Sequence, residues 1–260
     1  MPKKKMPMIV ELPAPETIDE DALAGALRDG SVDLVCVLGP TASGKTRYAV
    51  SLAIRLGAEI ISADSRQVYR GMDIGTGKDL SEYGDVPYHL IDIRPAGAKY
   101  NVYEYQKDFV EVYQDIRRRG RVPLLCGGTG LYIEAATCGY DFDKRYPTVD
   151  PSLLPQSTYY IGTLVDRQTR NARIDVRLDA RLAEGLVDEV RGLLDSDIPA
   201  EDLIYYGLEY KFVTQYVIGI LSYDEMHTLL RNAIHQFAKR QMTWFRGMER
   251  DGLTIHWTSV

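Results

Sequence analysis

The sequence has few of the residues that build disulfide or metal frameworks. Its 260 residues include three cysteines, Cys36, Cys126 and Cys138, and no two of them are close in the chain. An odd number of widely spaced cysteines argues against both a disulfide scaffold and a zinc cluster, and it is typical of proteins in a reducing compartment.

Long apolar segments are also missing. No apolar run approaches the roughly 20 residues that a membrane-spanning helix needs. Residues 3–5 are lysines and resemble the basic start of an export signal, but Pro7 and Glu11 interrupt the segment behind them. We therefore expect a cytoplasmic protein that has no membrane partner.

Positive charge is not in excess, because 31 Lys and Arg residues face 37 Asp and Glu residues and the net charge is −6. This balance disfavours a protein that coats nucleic acid, so any contact with RNA must lie in a local basic patch. The 45% hydrophobic content and the length are those of a soluble globular protein with one large domain, alone or with a small satellite.

Apolar segments rich in β-branched residues alternate with amphipathic segments. The predicted strands are 32–38, 59–63, 89–93, 122–126 and 159–164. The predicted helices include 102–118 and one long helix over 168–194, and further helices are expected from Ala200 onward. This alternation predicts an α/β fold with a parallel sheet covered by helices on both faces.

Two segments lie outside this pattern. Residues 1–31 are predicted to form a tail or a docked helix, with a short amphipathic helix between Thr17 and Arg28. Residues 141–158 contain three prolines without apolar periodicity, which predicts a linker. The main domain is therefore expected to span residues 32–260.

The strongest local signal lies between the first predicted strand and the helix after it. Residues Gly39–Thr46 satisfy the pattern G-x-x-x-x-G-K-[ST], in which backbone N–H groups at a helix N-terminus converge on phosphate oxygens. Lys45 adds a positive charge, and the Thr46 hydroxyl is a ligand for Mg²⁺. The predicted contacts to a diphosphate or triphosphate are Gly39, Thr41, Ala42, Ser43, Gly44, Lys45 and Thr46. The motif predicts a P-loop NTPase-like sheet with a helical C-terminal part, but it does not name the reaction.

The second predicted strand runs into Asp64, Ser65, Arg66 and Gln67. Ligands of open parallel sheets bind at the carboxyl ends of the strands. Asp64 is thus placed to accept a hydrogen bond or a proton from a nucleophile that faces the bound phosphates. The alternative is structural, with Asp64 as the N-cap of a helix and Arg66 as a solvated side chain.

Five sequence blocks together point to a family. They are Gly39–Thr46, Ile61–Thr76 followed by Lys78, His89–Asp92, Gly127–Tyr132 and Lys239–Arg246. In their order and spacing these blocks resemble the tRNA dimethylallyltransferase family. The resemblance is strong over residues 32–140 and moderate over residues 160–257.

The resemblance implies transfer of a dimethylallyl group from its diphosphate to the exocyclic amine of an adenosine beside a tRNA anticodon. The family binds the diphosphate in the Gly39–Thr46 loop, where Lys45 and Mg²⁺ on Thr46 stabilise the leaving group. Asp64 takes the place of the carboxylate that holds and deprotonates the amine. Thr129 falls where the family lines the reaction channel. The residues at the family's target-nucleotide contacts, which meet a base turned out of its stack, are Ser65, Arg66 and Gln67.

A basic stripe is predicted on the long helix. Arg170, Arg173, Arg177 and Arg181 recur at three- and four-residue spacing, so they share one side of the helix. Arg173 and Arg177 match a pattern of the family, Arg-Ile-x-x-Arg, and are predicted diphosphate contacts. The alternative is a solvated stripe that pairs with neighbouring acidic residues.

A second basic segment lies near the C-terminus. Contacts to tRNA or its adenine are predicted for Lys239, Arg240, Gln241 and Arg246, which flank an adjacent Trp and Phe. The alternative is that the two aromatic residues belong to the core and the charges only face solvent.

The sequence departs from the family in two places. The helical insertion domain that grips the anticodon arm is missing, and only the linker at 141–158 stands in its place. Near Gly207, Ile204 and Glu209 occupy positions where the family has basic side chains. We hypothesise that Lys211 or an arginine of the long helix supplies the missing charge.

Three activities therefore remain open from the sequence. The first modifies tRNA, the second modifies a free adenine nucleotide and needs no RNA-gripping insertion, and the third is a small-molecule kinase that holds ATP in the same loop. The retained Asp-Ser-Arg-Gln block and the basic C-terminal segment favour the first. The expected partners are dimethylallyl diphosphate and a tRNA anticodon stem-loop, or a free adenine nucleotide, with Mg²⁺ as cofactor, and we expect a monomer.

Overall fold

The computed structural model describes residues 12–139 and 149–260. Its centre is a six-stranded sheet in which every pair of neighbours is parallel. From one edge to the other the strands are β4 (Tyr88–His89), β2 (Ala58–Ser62), β6 (Val122–Gly127), β1 (Leu34–Leu38), β7 (Thr158–Leu164) and β8 (Ile255–Ser259). A small parallel sheet joins β3 (Tyr69–Arg70) to β5 (Arg94–Pro95).

Helices cover both faces of the central sheet. They are α1 (Glu20–Asp29), α2 (Lys45–Leu56), α3 (Val102–Arg118), α4 (Gly130–Glu134), α5 (Arg167–Glu184), α6 (Leu186–Asp195), α7 (Ala200–Tyr205), α8 (Leu208–Val217) and α9 (Tyr223–Arg250). The predicted fold class, a P-loop NTPase-like parallel sheet flanked by helices with a helical C-terminal part, is confirmed.

The core has two parts, one on each face of the sheet. In β1, Leu34, Cys36 and Leu38 belong to a large cluster with α3 and α5 to α9, whereas Val35 and Val37 belong to a smaller cluster with α1 and α2. Successive side chains of a strand point to opposite faces. A strand that is buried on both faces therefore has the continuous apolar sequence that β1 shows.

Three predicted elements differ in the structure. The helix predicted over 168–194 breaks at Gly185, whose φ of 116° ends α5 and begins α6. The strand predicted over 89–93 stops after its first residue, because Leu90 and Asp92 adopt left-handed φ values of 62° and 57°. The C-terminal part does not stay helical, since β8 returns to the sheet and pairs with β7.

The predicted N-terminal helix is α1, which docks on the smaller core cluster. The Asp19 carboxylate accepts a hydrogen bond from the Ala22 N–H at its start, and Leu23 is buried. Further upstream, the Glu16 N–H donates to the Trp257 carbonyl oxygen over 2.7 Å. These contacts tie the segment to the sheet edge at β8.

Parts of two predicted segments lie outside the described residues, namely 1–11 of the tail and 141–148 of the linker. The remainder of the linker contains a short 3₁₀ helix, Pro151–Leu153, before β7 begins. In the described portions of the chain, no helix combines the length and the apolar character needed to cross a membrane.

Candidate active site

The phosphate-binding loop, Gly39–Thr46, connects β1 to α2 and is held by β7. Gly44 has a φ of +82°, which a side chain would disfavour, and it leads directly into the helix. A Cβ on Gly39 would lie 2.1 Å from the Thr163 Oγ1, so only glycine fits there. The hydroxyls of Ser43 and Thr163 share a buried hydrogen bond of 2.7 Å. The loop conformation is thus fixed by its own glycines and by the neighbouring strand.

Gln241 on α9 fixes the loop from the other side. Its Oε1 accepts a hydrogen bond from the Thr41 N–H over 2.8 Å, and its Nε2 donates to the Gly128 carbonyl over 2.9 Å. Both ends of the amide are therefore used inside the protein. The contact to tRNA or adenine predicted for Gln241 stays a prediction, and the structure adds a bracing role that the sequence did not indicate.

Lys45 and Thr46 are the first two residues of α2. Among the described residues, neither the Lys45 ammonium nor the Thr46 hydroxyl makes a hydrogen bond or ion pair. Burial lowers the pKa of Lys45 below its ordinary value. A desolvated ammonium without a partner is poised for an anionic ligand.

Asp64 lies two residues beyond the end of β2 and is half-buried. Its Oδ1 accepts a hydrogen bond from the Arg66 N–H over 2.9 Å. The residues after it form a turn and not a helix, so the alternative role as a helix N-cap is wrong. The second carboxylate oxygen has no hydrogen-bond partner among the described residues.

Thr129 supports the turn after Asp64. Its Oγ1 accepts a hydrogen bond from the Ser65 N–H over 3.1 Å, and its own N–H donates to the Ala63 carbonyl over 3.1 Å. A Cβ on Gly127 would lie 2.3 Å from the same carbonyl oxygen, so glycine permits this close approach of β6 to β2. The predicted site residues of the two strands are thus in direct contact.

Gln67 joins the same turn to the loop at Gly77. Its Oε1 accepts a hydrogen bond from the Ser62 hydroxyl, and its Nε2 donates to the Gly77 carbonyl, both over 3.2 Å. Lys78, next in the chain, is almost fully buried and pairs with Asp92 and Asp73. These bonds position the loop that α5 covers.

The arginines of α5 divide between different environments. Arg177 donates to the Asp79 carboxylate over 2.9 Å at the mouth of the site, and Arg173 lies beside it. Arg181 lies deeper, at the Glu209 carboxylate. Arg170 is buried near the start of α5 and lines neither of the two cavities described next. The predicted basic stripe therefore does not face the cavities along its whole length, and the diphosphate contacts of Arg173 and Arg177 stay predictions.

Two adjoining cavities open at the carboxyl ends of the strands. The outer cavity, of about 430 Å³, is lined by Ala42, Gly44, Lys45, Thr46, Arg47, Asp79, Glu82, Arg173, Arg177 and Val260. The inner cavity is lined by Thr41, Lys45, Thr46, Asp64, Arg66, Gln67, Thr76, Gly77, Tyr83, Cys126, Gly127, Arg177, Arg181, Glu209, Phe237 and Gln241. Lys45, Thr46 and Arg177 line both. The phosphate-binding loop and the Asp64 carboxylate therefore face one continuous space.

A buried carboxylate between two arginines was not predicted as part of the site. Glu209 at the start of α8 pairs with Arg66 over 2.5 Å and with Arg181 over 3.5 Å. Although burial alone would raise it, the two guanidinium groups hold the pKa of Glu209 below its ordinary value. The sequence signals were the spacing that put Arg181 on the arginine stripe and the departure from the family pattern at Glu209.

The basic residues of α9 differ in their solvent exposure and in their ion pairs. Lys239 and Arg240 are exposed, and Arg240 lies 5.9 Å from the centre of the Phe237 ring. Arg246 already pairs with Glu249 over 2.6 Å. The two neighbouring aromatic side chains also differ, because Phe245 is fully buried and Trp244 is exposed. The core alternative is thus correct for Phe245 only.

Comparisons with known proteins agree on one family. A protein-family model described as IPP transferase matches residues 67–154 and 144–248, and another, described as isopentenyl transferase, matches residues 32–83. A relative from Porphyromonas gingivalis, named tRNA dimethylallyltransferase 1, is 50% identical over 280 aligned positions, covering 86% of this chain and 93% of the relative. That alignment is longer than this chain, so the relative contains residues that have no counterpart here.

Solved structures agree with the sequence comparison. A tRNA isopentenylpyrophosphate transferase from Bacillus halodurans has a TM-score of 0.76 and 32% identity, with 87% of this chain and 89% of that chain covered. A tRNA isopentenylpyrophosphate transferase from Staphylococcus epidermidis has a TM-score of 0.75 and 29% identity, with 87% and 92% covered.

Proposed function

The chain belongs to the tRNA dimethylallyltransferase family, and from this premise we propose that it transfers a dimethylallyl group from dimethylallyl diphosphate to the N6 amine of an adenosine in tRNA, next to the anticodon. One observation carries the proposal. The phosphate-binding loop and the Asp64 carboxylate line the same inner cavity. The diphosphate leaving group and the base that accepts the amine proton would therefore share one cavity.

The donor side is built for a diphosphate. The loop N–H groups and the Lys45 ammonium bind its oxygens, and Arg173 and Arg177 lie at the mouth of the same cavity. As the bond between the allylic carbon and oxygen breaks, negative charge grows on the diphosphate. Fixed positive groups stabilise that charge more than they stabilise the bound donor, which lowers the barrier.

The acceptor side places a carboxylate at the amine. The N6 nitrogen forms the new bond to the allylic carbon while the diphosphate departs, and the proton that nitrogen loses goes to Asp64. Ser65, Arg66 and Gln67 surround the adenine that leaves its stack, and Thr129 holds the turn that carries them. Lys45 and Thr129 complete the proposed catalytic set.

Mg²⁺ fits the residues at the start of α2. The Thr46 hydroxyl lines both cavities and has no protein partner among the residues described, so it can bind the ion. Those residues contain no group of three or more His, Cys, Asp or Glu side chains that could hold a metal ion. The ion would therefore take its other ligands from diphosphate oxygens and water, and it would supply positive charge beside the leaving group.

The exposed face of α9 is the proposed tRNA contact. Lys239 and Arg240 have no ion-pair partner among the described residues, and the α9 side chain of Gln241 reaches the phosphate-binding loop. Two comparisons support the predicted absence of the insertion domain: the alignment with the Porphyromonas gingivalis relative is longer than this chain, and the family model matches in two pieces that overlap at 144–154. We propose that a monomer binds the anticodon stem-loop mainly through α9.

A transfer assay with two acceptors tests the proposal. The protein is incubated with labelled dimethylallyl diphosphate, Mg²⁺ and either an anticodon stem-loop or AMP. We expect label on the stem-loop adenosine and release of pyrophosphate. Label on AMP alone would favour the free-nucleotide activity, and release of γ-phosphate from ATP without prenyl transfer would favour a kinase.

Two substitutions in α2 test whether transfer depends on the phosphate-binding loop. Lys45→Ala should weaken donor binding and slow transfer together, by about tenfold or more, because the charge contacts the diphosphate before and during the reaction. Arg55→Ala is the matched control, since Arg55 lies at the other end of α2 and pairs with Glu20 and Asp21 on α1. It should transfer at the parent rate.

A further inference from the structure

One nitrogen of the Arg181 guanidinium is buried and has no hydrogen-bond partner in the part of the chain that the structure describes. The side chain is 11% exposed, and its Nη2 makes no hydrogen bond within the described residues. Its Nη1 lies 3.5 Å from the Glu209 Oε1, farther than the 2.7–2.9 Å typical of a charge-assisted hydrogen bond. Because an unsatisfied buried donor costs free energy, a ligand oxygen at Nη2 would stabilise this arrangement.

The Arg181 guanidinium lies against the loop at Gly77. A Cβ on Gly77 would lie 1.6 Å from the Arg181 Nη2 and 2.2 Å from the Arg177 Nη2. Gly77 also has a φ of +61°, a left-handed conformation that favours glycine. The tips of the two arginines therefore lie directly against the Gly77 backbone.

Positive charge is in excess where Arg181 lies. Lys45, Arg66, Arg177 and Arg181 line the inner cavity, and the carboxylates among its lining residues are Asp64 and Glu209. Burial, followed by the charge of Arg177, lowers the pKa of Arg181 to about 10, so the group is still charged at neutral pH. An anion of two or more charges fits this excess.

We propose that Arg181 binds the diphosphate of the donor and that Glu209 is a positioning residue that holds the Arg181 guanidinium at the phosphate-binding loop. This proposal rests on the proposed function and deepens its donor site. Arg181 lies outside the Arg-Ile-x-x-Arg pattern, and Glu209 stands where the family has a basic side chain. The pair thus supplies from α5 the charge that is missing near Gly207.

The two ion pairs of Glu209 differ in length and in the proposed role of the arginine that each one holds. The short contact joins Glu209 to Arg66 on the acceptor side, while the long contact leaves the buried Arg181 Nη2 without an acceptor among the described residues. Lys211, the other candidate for the missing charge, lies beside Phe212 at 5.3 Å from the ring centre and lines neither cavity.

Titration of the full chain with inorganic pyrophosphate tests the role of Arg181. Arg181→Gln should raise the Kd about tenfold or more, and Arg181→Lys, which keeps the charge but not the planar fork, should raise it less. Lys211→Ala should leave the Kd unchanged. Parent-like binding by Arg181→Gln would overturn the proposal.

Glu209→Gln tests positioning, because it keeps the shape of the side chain and removes its charge. If Glu209 only competed with the ligand for Arg181, the variant would bind pyrophosphate more tightly. Positioning predicts weaker binding, by about threefold, and a smaller effect of Arg181→Gln in this background. It also predicts a raised KM for dimethylallyl diphosphate. Equal or tighter binding would overturn the positioning role.

A matched control separates positioning from general loss of a buried carboxylate. Glu59 is as buried as Glu209 and pairs with Arg119. Glu59→Gln should lower stability but leave the pyrophosphate Kd at the parent value. Since pyrophosphate binding is measured without transfer, a parent protein that fails to prenylate tRNA sinks the proposed function alone, while an active parent whose Arg181→Gln variant binds normally sinks only this inference.

Discussion

Arg66 and Glu209 are 143 residues apart in the chain and form an ion pair of 2.5 Å between Nη1 and Oε2. The pair joins the turn after β2 to the start of α8. The Arg66 guanidinium also lies 5.8 Å from the centre of the Phe237 ring on α9. Asp64 precedes Arg66 by two residues, so the position of the proposed base depends on helices from the far end of the sequence.

Asp64→Asn should separate binding from chemistry. Asparagine keeps an Oδ1 for the Arg66 N–H, so the turn should keep its shape. The amide cannot accept the amine proton, and the single-turnover rate should fall by about 10² to 10⁴. The Kd values for dimethylallyl diphosphate and the stem-loop should change by less than about threefold. An unchanged rate would rule out Asp64 as the base.

Gln241→Leu should loosen the phosphate-binding loop. It leaves the Thr41 N–H and the Gly128 carbonyl without their partner, which should cost about 1–3 kcal/mol in the free energy of unfolding. Urea denaturation measures that loss, and pyrophosphate titration should show weaker binding. Gln236→Leu, an exposed position on the same helix, is the control. A stability loss with parent-like pyrophosphate binding would limit Gln241 to a structural role.

Glu59 should make stability depend on pH in acid. Hydrogen bonds from Arg119 lower the pKa of Glu59 to about 2 from 4.5. A depressed carboxyl pKa stabilises the fold above the unfolded pKa, and this contribution disappears as the pH falls from about 4.5 through about 2. The shift corresponds to roughly 3 kcal/mol, which screening at the half-exposed Arg119 reduces to about 2 kcal/mol.

Urea denaturation of parent and Glu59→Gln checks this. The difference in the free energy of unfolding should be present at pH 5, above the ordinary pKa of the carboxyl group, and should shrink toward pH 2. Glu111→Gln on α3, where the glutamate is exposed and unpaired within the residues described, should stay within about 0.5 kcal/mol of the parent. A difference that is the same at every pH would show that the charge of Glu59 is not responsible.

Arg240→Ala should flatten the salt dependence of tRNA binding. Each lost phosphate contact removes roughly 0.7 to 0.9 from the slope of log Kd against log salt concentration. Arg246→Ala should have a smaller effect, because Arg246 already pairs with Glu249. Filter binding of the stem-loop at several salt concentrations measures both slopes. Equal slopes for Arg240→Ala and the parent would show that Arg240 does not contact a tRNA phosphate.

Local signals predicted much of the fold. The bounds of α3 were correct because a capping box, Asn101 with Glu104, starts it and Gly120 follows its end. The break at Gly185 could not be predicted, because apolar residues continue at helical spacing from α5 into α6. The strand β8 was missed because a five-residue segment after a long helix gains its order from pairing with β7.

The site shows the same division. The phosphate-binding loop and the turn at Asp64 were found because each is a short contiguous motif, although their proposed roles stay predictions. The Arg181–Glu209 contact and the amide bridge of Gln241 join residues from different helices and strands. A pattern in one sequence does not predict such a pairing, because the pairing depends on how α5, α8 and α9 pack on the sheet.

The most direct test of the account is mass analysis of nucleosides from the tRNA of cells that have lost this gene. Complementation with the parent gene should restore an adenosine heavier by one dimethylallyl group, at the position next to the anticodon, and the Asp64→Asn gene should not restore it. If the modified adenosine is present at the same level with and without the gene, prenyl transfer to tRNA by this protein is contradicted.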